Sequence, residues 1–366
     1  MADRLIHITP ELPPTVGGVA DYTALLSRRL VEVTDGAVEP VLVHAGKEPA
    51  EVIAVDVPVV DLSGQCSATA LADAVRRQAE ETSGRAVVLL EYSGYGYAMR
   101  GAPLWLARGL QRVCGGDGPP LVTMFHELYA TGPPWTSAFW YSFPQKWVVG
   151  QLAQRSTAVV ANRHDSTEWL RGHTDTAYHR PIFSNVGEPS TPPVWEQRSP
   201  YAVVFGGTGK EALYDEHGAR LQALLRTLGI RTLVDIGPRP PKPLLSSLKG
   251  IEIDVRGLVD REAVSESLRE AQLGLLCRNP KALTKSGSLM AYLAHGVPAV
   301  IARRHSTQPN PDLKRGTHYL SLADPSQKSA EQTDWSAVGR SGYDWYRENA
   351  HSRGAAELFF RLIDAI

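Results

Sequence analysis

Short apolar runs alternate with amphipathic stretches along most of this chain. Predominantly apolar runs occur at residues 5–8, 86–90, 158–161 and 201–205, and segments with apolar residues three or four positions apart follow them. Such runs are typical of strands buried on both faces, and the wider spacing is typical of helices that pack on a sheet. Strands that alternate with helices in this way predict parallel sheets, so we expect an α/β protein.

A proline-rich stretch divides this pattern into two halves. Residues 187–200 contain four prolines in a polar context, which indicates a linker. A length of 366 residues also suggests two domains. We therefore predict a first domain at residues 1–187, a second at residues 188–345 and a returning C-terminal helix at residues 346–366.

Composition indicates which partners and which cellular compartment to expect. The net charge of -1 and the pI near 6.8 produce no field that would gather nucleic acid, so we expect no nucleic-acid partner. The three cysteines are far apart and form no CxxC motif, as in proteins of a reducing compartment. No apolar run reaches the roughly 18 residues of a membrane span. We predict a cytoplasmic protein.

Polar and aromatic side chains follow two predicted strands of the first half. Ligands of open α/β sheets bind outside the carboxyl ends of strands. A tyrosine ring at that edge can stack on a sugar, and a histidine can act as a base or a hydrogen-bond donor. A purely structural role is the alternative for each residue. The candidates after residues 86–90 and 120–125 are Glu91, Tyr92, Tyr95 and Tyr97, and His126 and Glu127.

Residues 129–145 form the most aromatic segment, with prolines and a glycine among the rings. Such a segment can line an acceptor site, dip into a membrane surface or pack on its own domain. Lys146 and Arg155, on or beside a helix predicted at residues 146–154, would favour anionic lipid. A peripheral membrane contact is therefore one of three open interpretations.

Three glycine- or serine-rich helix starts are suited to anions. Gly17 and Gly18 precede the first helix, and residues 206–210 form a glycine loop that ends in Lys210. In residues 281–303, Ser286, Gly287 and Ser288 stand before an apolar helical run. Free N–H groups at a helix start attract phosphate. The chain contains no DxD, HExxH or GxSxG motif, which argues against metal-dependent hydrolysis and triad chemistry. We expect neither a metal ion nor a cofactor.

Three segments together resemble glycosyltransferases of the GT-B fold, closest to the retaining family 4 group. They are HITPELPPTVGGVADYTALLSRRL (7–30), VTMFHE (122–127) and LMAYLAHGVPAVIA (289–302). The resemblance implies two Rossmann-like domains that face a cleft, with the C-terminal helices crossing back to the first domain. It implies a UDP- or GDP-linked sugar donor held mainly by the second domain, and a small-molecule, lipid-linked or polysaccharide-precursor acceptor held mainly by the first.

The same resemblance implies roles for single residues. Gly17 and Gly18 would approach the donor, and His126 would contact the transferred sugar. Our hypothesis is that Lys210, Lys285 and the helix start at Ser286 stabilise the departing phosphate. The remaining donor-binding candidates are Thr208, Gly209, Arg256, Leu258, Gly287 and Ser288.

One departure from the family pattern concerns two glutamates that normally bind the donor sugar and ribose. Leu283 and Ala291 stand at those positions. Three alternatives therefore stay open beside a retaining glycosyltransferase. One is a catalytically silent GT-B protein that binds sugar nucleotides. The others are a sugar-nucleotide epimerase that uses carboxylates such as Glu91 and Glu127, and an enzyme that couples a cyclitol instead of a sugar.

Overall fold

The computed structural model describes residues 3–15, 17–49, 52–240, 248–302, 309–322 and 330–365, so Arg303, at the end of the predicted stretch 281–303, lies outside the described residues. The chain divides into a first unit, Met1–Pro181 with Ser352–Ile366, and a second unit, Ile182–His351. The predicted boundaries followed residues 187 and 345, whereas the observed ones follow Pro181 and His351.

The first unit contains a parallel sheet in the order β3-β2-β1-β4-β5-β6-β7. Valine, isoleucine and leucine dominate these strands and are buried on both faces. Because all strands run the same way, their carboxyl ends lie at one edge. The strands are β1 (Asp3–Thr9), β2 (Val38–His44), β3 (Val59–Asp61), β4 (Ala86–Tyr92), β5 (Leu121–Phe125), β6 (Ala158–Ala161) and β7 (Ala177–His179).

Helices connect these strands. They are α1 (Gly18–Val33), α2 (Ala68–Glu80), α3 (Gly94–Tyr97), α4 (Leu104–Val113), α5 (Ser137–Arg155) and α6 (His164–Arg171). The helix predicted at residues 146–154 begins earlier than expected, because α5 begins at Ser137, inside the aromatic segment 129–145, and contains Pro144. A proline inside a helix costs about 3 kcal/mol. Burial of Val148, Val149 and Leu152 on the same helix offsets that cost.

The second unit contains a parallel sheet in the order β10-β9-β8-β11-β12-β13. Its strands are β8 (Ser199–Phe205), β9 (Thr232–Ile236), β10 (Glu252–Gly257), β11 (Ala271–Cys277), β12 (Ala299–Ala302) and β13 (Leu320–Ser321). Its helices are α7 (Lys210–Asp215), α8 (Gly218–Thr227), α9 (Arg261–Glu270), α10 (Gly287–Ala294) and α11 (Trp335–Asn349). Short 3₁₀ helices lie at Trp195–Gln197, Pro280–Lys285 and Ala330–Gln332.

The last helix, α12 (Ser352–Asp364), belongs to the first unit and packs on α1. Nε of Arg29 donates a hydrogen bond to Oγ of Ser352 at 2.9 Å, which ties the start of α12 to α1. Among the described helices, none combines the length and the apolar character needed to cross a membrane.

The proline-rich stretch 187–200 is not a free linker, and this corrects the prediction. It contains the 3₁₀ helix Trp195–Gln197 and runs into β8 at Ser199. The buried guanidinium of Arg198 donates hydrogen bonds to five backbone carbonyls, those of Pro193, Leu268, Arg269, Ala271 and His295. These bonds satisfy carbonyls at the ends of α9 and α10, so the stretch is fixed to the second unit. Burial lowers the pKa of Arg198 to about 10.

Candidate active site

Three ionisable side chains form a buried chain at the carboxyl edge of the first sheet. His7 lies on β1, Glu91 on β4, and His126 directly after β5, and these three strands are neighbours. Nε2 of His7 is 2.8 Å from Oε1 of Glu91, and Nε2 of His126 is 2.7 Å from Oε2. His7 and Glu91 are fully buried, whereas His126 is 8% exposed. His126 is therefore the member that a ligand can reach.

The hydrogen bonds determine which ring nitrogens carry protons. Burial opposes ionisation of Glu91, but the hydrogen bonds from His126 and His7 outweigh it and lower its pKa. An ionised carboxylate only accepts, so Nε2 of each histidine must donate. Nδ1 of His7 then accepts from the hydroxyl of Ser27 at 2.8 Å. Within the described ranges nothing hydrogen-bonds Nδ1 of His126, so this atom is available to substrate.

Tyr22 and Asn162 hold the ring and the backbone of His126. The ring of Tyr22, on α1, meets the His126 ring edge-on with 4.9 Å between centroids. Nδ2 of Asn162 donates to the backbone carbonyl of His126 at 3.4 Å. Burial raises the pKa of the Tyr22 hydroxyl well above its usual value, with the charge of Glu91 adding to the effect. The tyrosine therefore stays neutral and acts through shape and polarity.

The carboxylate of Glu11 lies beside the start of α1 at Gly17 and Gly18. A Cβ on Gly17 would lie 2.4 Å from Oε2 of Glu11, so a larger residue at position 17 would displace this carboxylate from the first turn of α1. Around Gly18 no atom lies within 4 Å of an added Cβ among the described residues, which leaves room for a ligand. Burial raises the pKa of Glu11 against the attraction of Lys47, His126 and His44. Glu11 was not among the predicted site residues, although it stands six residues before Gly17.

The five residues predicted to bind the acceptor differ in exposure, since three are buried and two are exposed. β4 extends to Tyr92, so Glu91 lies inside the sheet rather than in a loop. Tyr92 and Tyr97 are fully buried in the hydrophobic core, and their predicted stacking on a sugar is wrong for that reason. Tyr95, 42% exposed, keeps a ring that can face an acceptor. Glu127 is exposed beside His126.

In the second unit, the loop after β8 lies against the start of α10. Gly206 has φ +97°, and a Cβ there would lie 2.6 Å from Oγ of Ser288. The hydroxyl of Ser286 caps α10 by accepting from the N–H of Leu289 at 3.3 Å. The structure thus brings together the glycine loop and the serine-glycine helix start, two of the segments predicted to bind the donor. The first-turn N–H groups of Gly287 and Ser288 lie at this helix start, and their binding of an anion stays a prediction.

Gly209 fixes the same loop to the end of β11. Its φ is +79°, and an added Cβ would lie 2.2 Å from the carbonyl oxygen of Cys277. Only glycine is compatible with both the left-handed backbone and this approach. Thr208, the residue before it, is exposed on the loop.

Lys210 does not have the position that the sequence predicted. Its buried ammonium lies 2.7 Å from Oδ1 of Asp235 and donates to the carbonyls of Ile236 and Pro238. These three bonds use all three N–H groups of the ammonium. Tyr214 donates to the other carboxylate oxygen of Asp235 at 2.5 Å. The predicted contact of Lys210 with a departing phosphate is thus corrected to a structural ion pair beneath the loop.

Other basic residues lie closer to the surface of this unit. Lys285 ends the 3₁₀ helix before Ser286 and is half-buried. Arg278 directly follows β11, and burial lowers the pKa of its guanidinium. No carboxylate of the described residues pairs with Arg278. Arg278 was not among the predicted site residues, although a cation directly after a strand is a sequence pattern that can indicate a phosphate-binding site.

The donor-binding candidates Arg256 and Leu258 are exposed, whereas the two substituted glutamate positions are buried. Arg256 is exposed and donates to Asp254 at 2.9 Å and to Ser267 at 2.8 Å, whereas Leu258 is 65% exposed. Leu283 and Ala291 are buried in the core of the second unit. An unpaired carboxylate at either position would be costly in this apolar core, whereas leucine and alanine pack there.

Solved structures with the same fold are glycosyltransferases. An alpha-glucosyltransferase in complex with UDP and a 13-mer DNA matches with a TM-score of 0.61, 9% identity and 100% of each chain covered. AviGT4, a glycosyltransferase involved in avilamycin A biosynthesis, matches with a TM-score of 0.54, 14% identity, and 100% of this chain and 97% of that chain covered. The UDP-forming alpha,alpha-trehalose-phosphate synthase of Burkholderia xenovorans matches with a TM-score of 0.58, 11% identity, and 99% of this chain and 100% of that chain covered.

These matches define the class of fold. The chain has the two-sheet α/β fold of GT-B glycosyltransferase structures, as its sequence predicted. No protein-family model matches the chain, and neither does any curated protein. The resemblance to the retaining family 4 group stays a prediction.

Proposed function

We propose that the protein is a glycosyltransferase that transfers a sugar from a UDP- or GDP-linked donor to a hydroxyl group of a small-molecule, lipid or polysaccharide-precursor acceptor. The reaction retains the configuration of the anomeric carbon and uses neither a metal ion nor a cofactor. The proposal rests on one observation at His126. Glu91 hydrogen-bonds Nε2 of its ring, so Nδ1 can contact a substrate. Its support is the fold, which the chain shares with glycosyltransferases.

His126 has the chemistry needed to position a sugar. Nδ1 of the neutral ring accepts a hydrogen bond from a sugar hydroxyl, and the protonated ring donates one. The ring cannot rotate freely, because Nε2 is hydrogen-bonded and Tyr22 packs against its edge. Such preorganisation avoids the cost of orienting the group during reaction.

The second unit supplies the groups that hold the donor diphosphate. The first-turn N–H groups of α10, at Gly287 and Ser288, receive phosphate oxygens. Lys285 and Arg278 neutralise the negative charge that develops as the nucleotide departs. Arg278 takes the role first assigned to Lys210, whose charge Asp235 already compensates.

The bond changes balance without a further reagent. The acceptor oxygen bonds to the anomeric carbon as the bond from that carbon to the phosphate oxygen breaks. With retention, the acceptor and the departing phosphate lie on the same face of the sugar, so the acceptor proton passes to a phosphate oxygen. The products are the glycoside and a nucleoside diphosphate.

Release of nucleoside diphosphate from a panel of UDP- and GDP-sugars tests the proposal. Wild-type protein with an acceptor should release it, with or without EDTA. His126→Ala should lower turnover at least about tenfold, equivalent to about 1.4 kcal/mol. The matched control is His173→Ala, because His173 stacks on Trp169 away from the buried chain and should leave turnover unchanged.

The acceptor panel should include duplex DNA. The low net charge predicted no nucleic-acid partner, but several similar structures are alpha-glucosyltransferases that hold DNA. Glycosylated DNA would identify nucleic acid as the acceptor and would overturn that prediction. A glycoside formed only with small molecules or lipids would support it.

The buried Leu283 and Ala291 favour a second candidate, a silent protein that binds a sugar nucleotide without transferring it. A thermal-shift screen with the same donors separates the two. Donor binding without turnover on any acceptor would favour the silent protein, whereas turnover that depends on His126 would exclude it.

A further inference from the structure

An aromatic face remains exposed on the first unit. Its members are exposed by 84% at Trp135, 64% at Trp140, 54% at Phe143 and 51% at Trp147. Trp140, Phe143 and Trp147 are three and four positions apart on α5, so they lie on one side of the helix. The opposite side of α5 is buried through Val148, Val149 and Leu152. The helix thus presents large apolar rings on its outer side.

Basic residues border this face. A cavity of about 200 Å³ lies between α4 and α5, and Trp147, Arg108 and Arg155 contribute to its lining. Nη2 of Arg155 donates to the carbonyl of Gln111 at 3.4 Å, which holds the arginine at the cavity. Arg108 is exposed, and no carboxylate of the described residues pairs with it. The cavity therefore combines an indole ring with two cations.

Charge distribution favours an anionic occupant. Neither α4 nor α5 contains an aspartate or a glutamate, whereas together they carry Arg108, Arg112, Lys146 and Arg155. Tryptophan rings prefer the boundary between lipid headgroups and acyl chains, and arginine binds phosphate in a bidentate manner. A surface with exposed tryptophans and exposed arginines fits a phospholipid bilayer better than a neutral apolar partner.

We propose that this face binds the surface of an anionic membrane. The rings of Trp140, Phe143 and Trp147 insert at the headgroup level, and the cavity at Arg108 and Arg155 receives lipid phosphates. The contact is peripheral and independent of the proposed transferase chemistry. Each arginine near such a surface is expected to strengthen partitioning about fivefold.

Vesicle flotation of the full chain provides the test. The protein should float with vesicles of phosphatidylcholine mixed with phosphatidylglycerol and much less with phosphatidylcholine alone. Arg108→Gln with Arg155→Gln should reduce binding to the mixed vesicles about 25-fold, and Trp140→Ser with Trp147→Ser should abolish it. The matched control is Arg76→Gln with Arg171→Gln, since these exposed arginines are already paired with Asp73 and Glu168 on their own helices. It should bind like the wild type.

A measurement on the wild type covers the case in which a variant does not fold. Brominated phosphatidylglycerol vesicles should quench tryptophan fluorescence, because rings at the headgroup level lie near the bromine atoms. The proposal is overturned if quenching is absent, if both vesicle types bind equally, or if folded variants bind like the wild type. It is also overturned if ultracentrifugation shows that the face pairs two copies of the chain and no vesicle binds.

Discussion

Nε2 of His126 lies 2.7 Å from Oε2 of Glu91, and the carboxylate itself is fully buried. The second oxygen of the same carboxylate accepts from His7, whose other ring nitrogen meets Ser27. One buried acid therefore determines the protonation of two histidines. The catalytic proposal for His126 depends on this arrangement, because it leaves Nδ1 to face substrate.

Glu91→Gln should change the tautomer of one histidine. A glutamine side chain offers one acceptor oxygen and one donor NH₂ group, so it cannot accept from both imidazoles. Side-chain ¹⁵N NMR should show the proton of His7 or His126 moved to Nδ1, and turnover should fall at least about tenfold. Glu168→Gln, an exposed change on α6, should leave the imidazole spectra as they are. Unchanged spectra in Glu91→Gln would contradict the assignment.

Lys210→Met should destabilise the second unit instead of only slowing catalysis. It leaves Asp235 buried without its cation, and breaking a buried ion pair costs about 3–5 kcal/mol. Urea unfolding measures the loss, and Lys210→Met combined with Asp235→Asn should recover part of it. Lys249→Met, on an exposed lysine, is the control. If Lys210→Met were as stable as this control but inactive, Lys210 would be catalytic after all.

Gly209→Ala should displace the loop after β8, because the added Cβ clashes with a neighbouring carbonyl in addition to the cost of a left-handed alanine. Gly209 and Gly229 have φ +79° and +69°, so alanine pays a similar left-handed cost of about 1–2 kcal/mol at either site. The two sites differ in their surroundings. An added Cβ at Gly209 would lie 2.2 Å from the backbone carbonyl oxygen of Cys277, whereas one at Gly229 has no neighbour within 4 Å among the described residues. Calorimetry should therefore show weaker nucleotide binding for Gly209→Ala and wild-type binding for Gly229→Ala. Equal binding by both variants would remove Gly209 from the site.

His295 should make the second unit less stable in acid. Burial lowers its pKa from 6.5 to about 4, and the charges of Arg198 and Arg269 add to the shift, although a hydrogen bond to Ala291 opposes it. As the pH falls, His295 binds a proton in the unfolded state before it does so in the folded state. The contribution of neutral His295 to the free energy of unfolding is therefore complete above pH 6.5 and is lost as the pH falls toward 4. Between pH 7 and pH 5 the loss is about 2 kcal/mol. His295→Gln should show a smaller decrease over this range in urea unfolding, and an identical decrease would refute the assignment.

The order of strands and helices followed from local sequence. The apolar run at residues 158–161 is β6 with the bounds that the sequence predicted, and the glycine loops before α1 and α7 lie where the sequence showed them. These features depend on neighbouring residues, so a linear pattern contains them. The aromatic helix α5 was partly missed because Pro144 argues locally against the helix that packing stabilises.

By itself, the sequence determined a two-unit α/β protein with glycine-rich loops before helices and a histidine, His126, directly after a strand. Only the tertiary structure decided what those side chains touch. Lys210 and Asp235 are 25 positions apart, and His7 and Glu91 are 84 apart, yet each pair is in direct contact. The sheets place β1 beside β4, and β8, which leads into α7, beside β9, and burial then makes an unpaired charge too costly to keep.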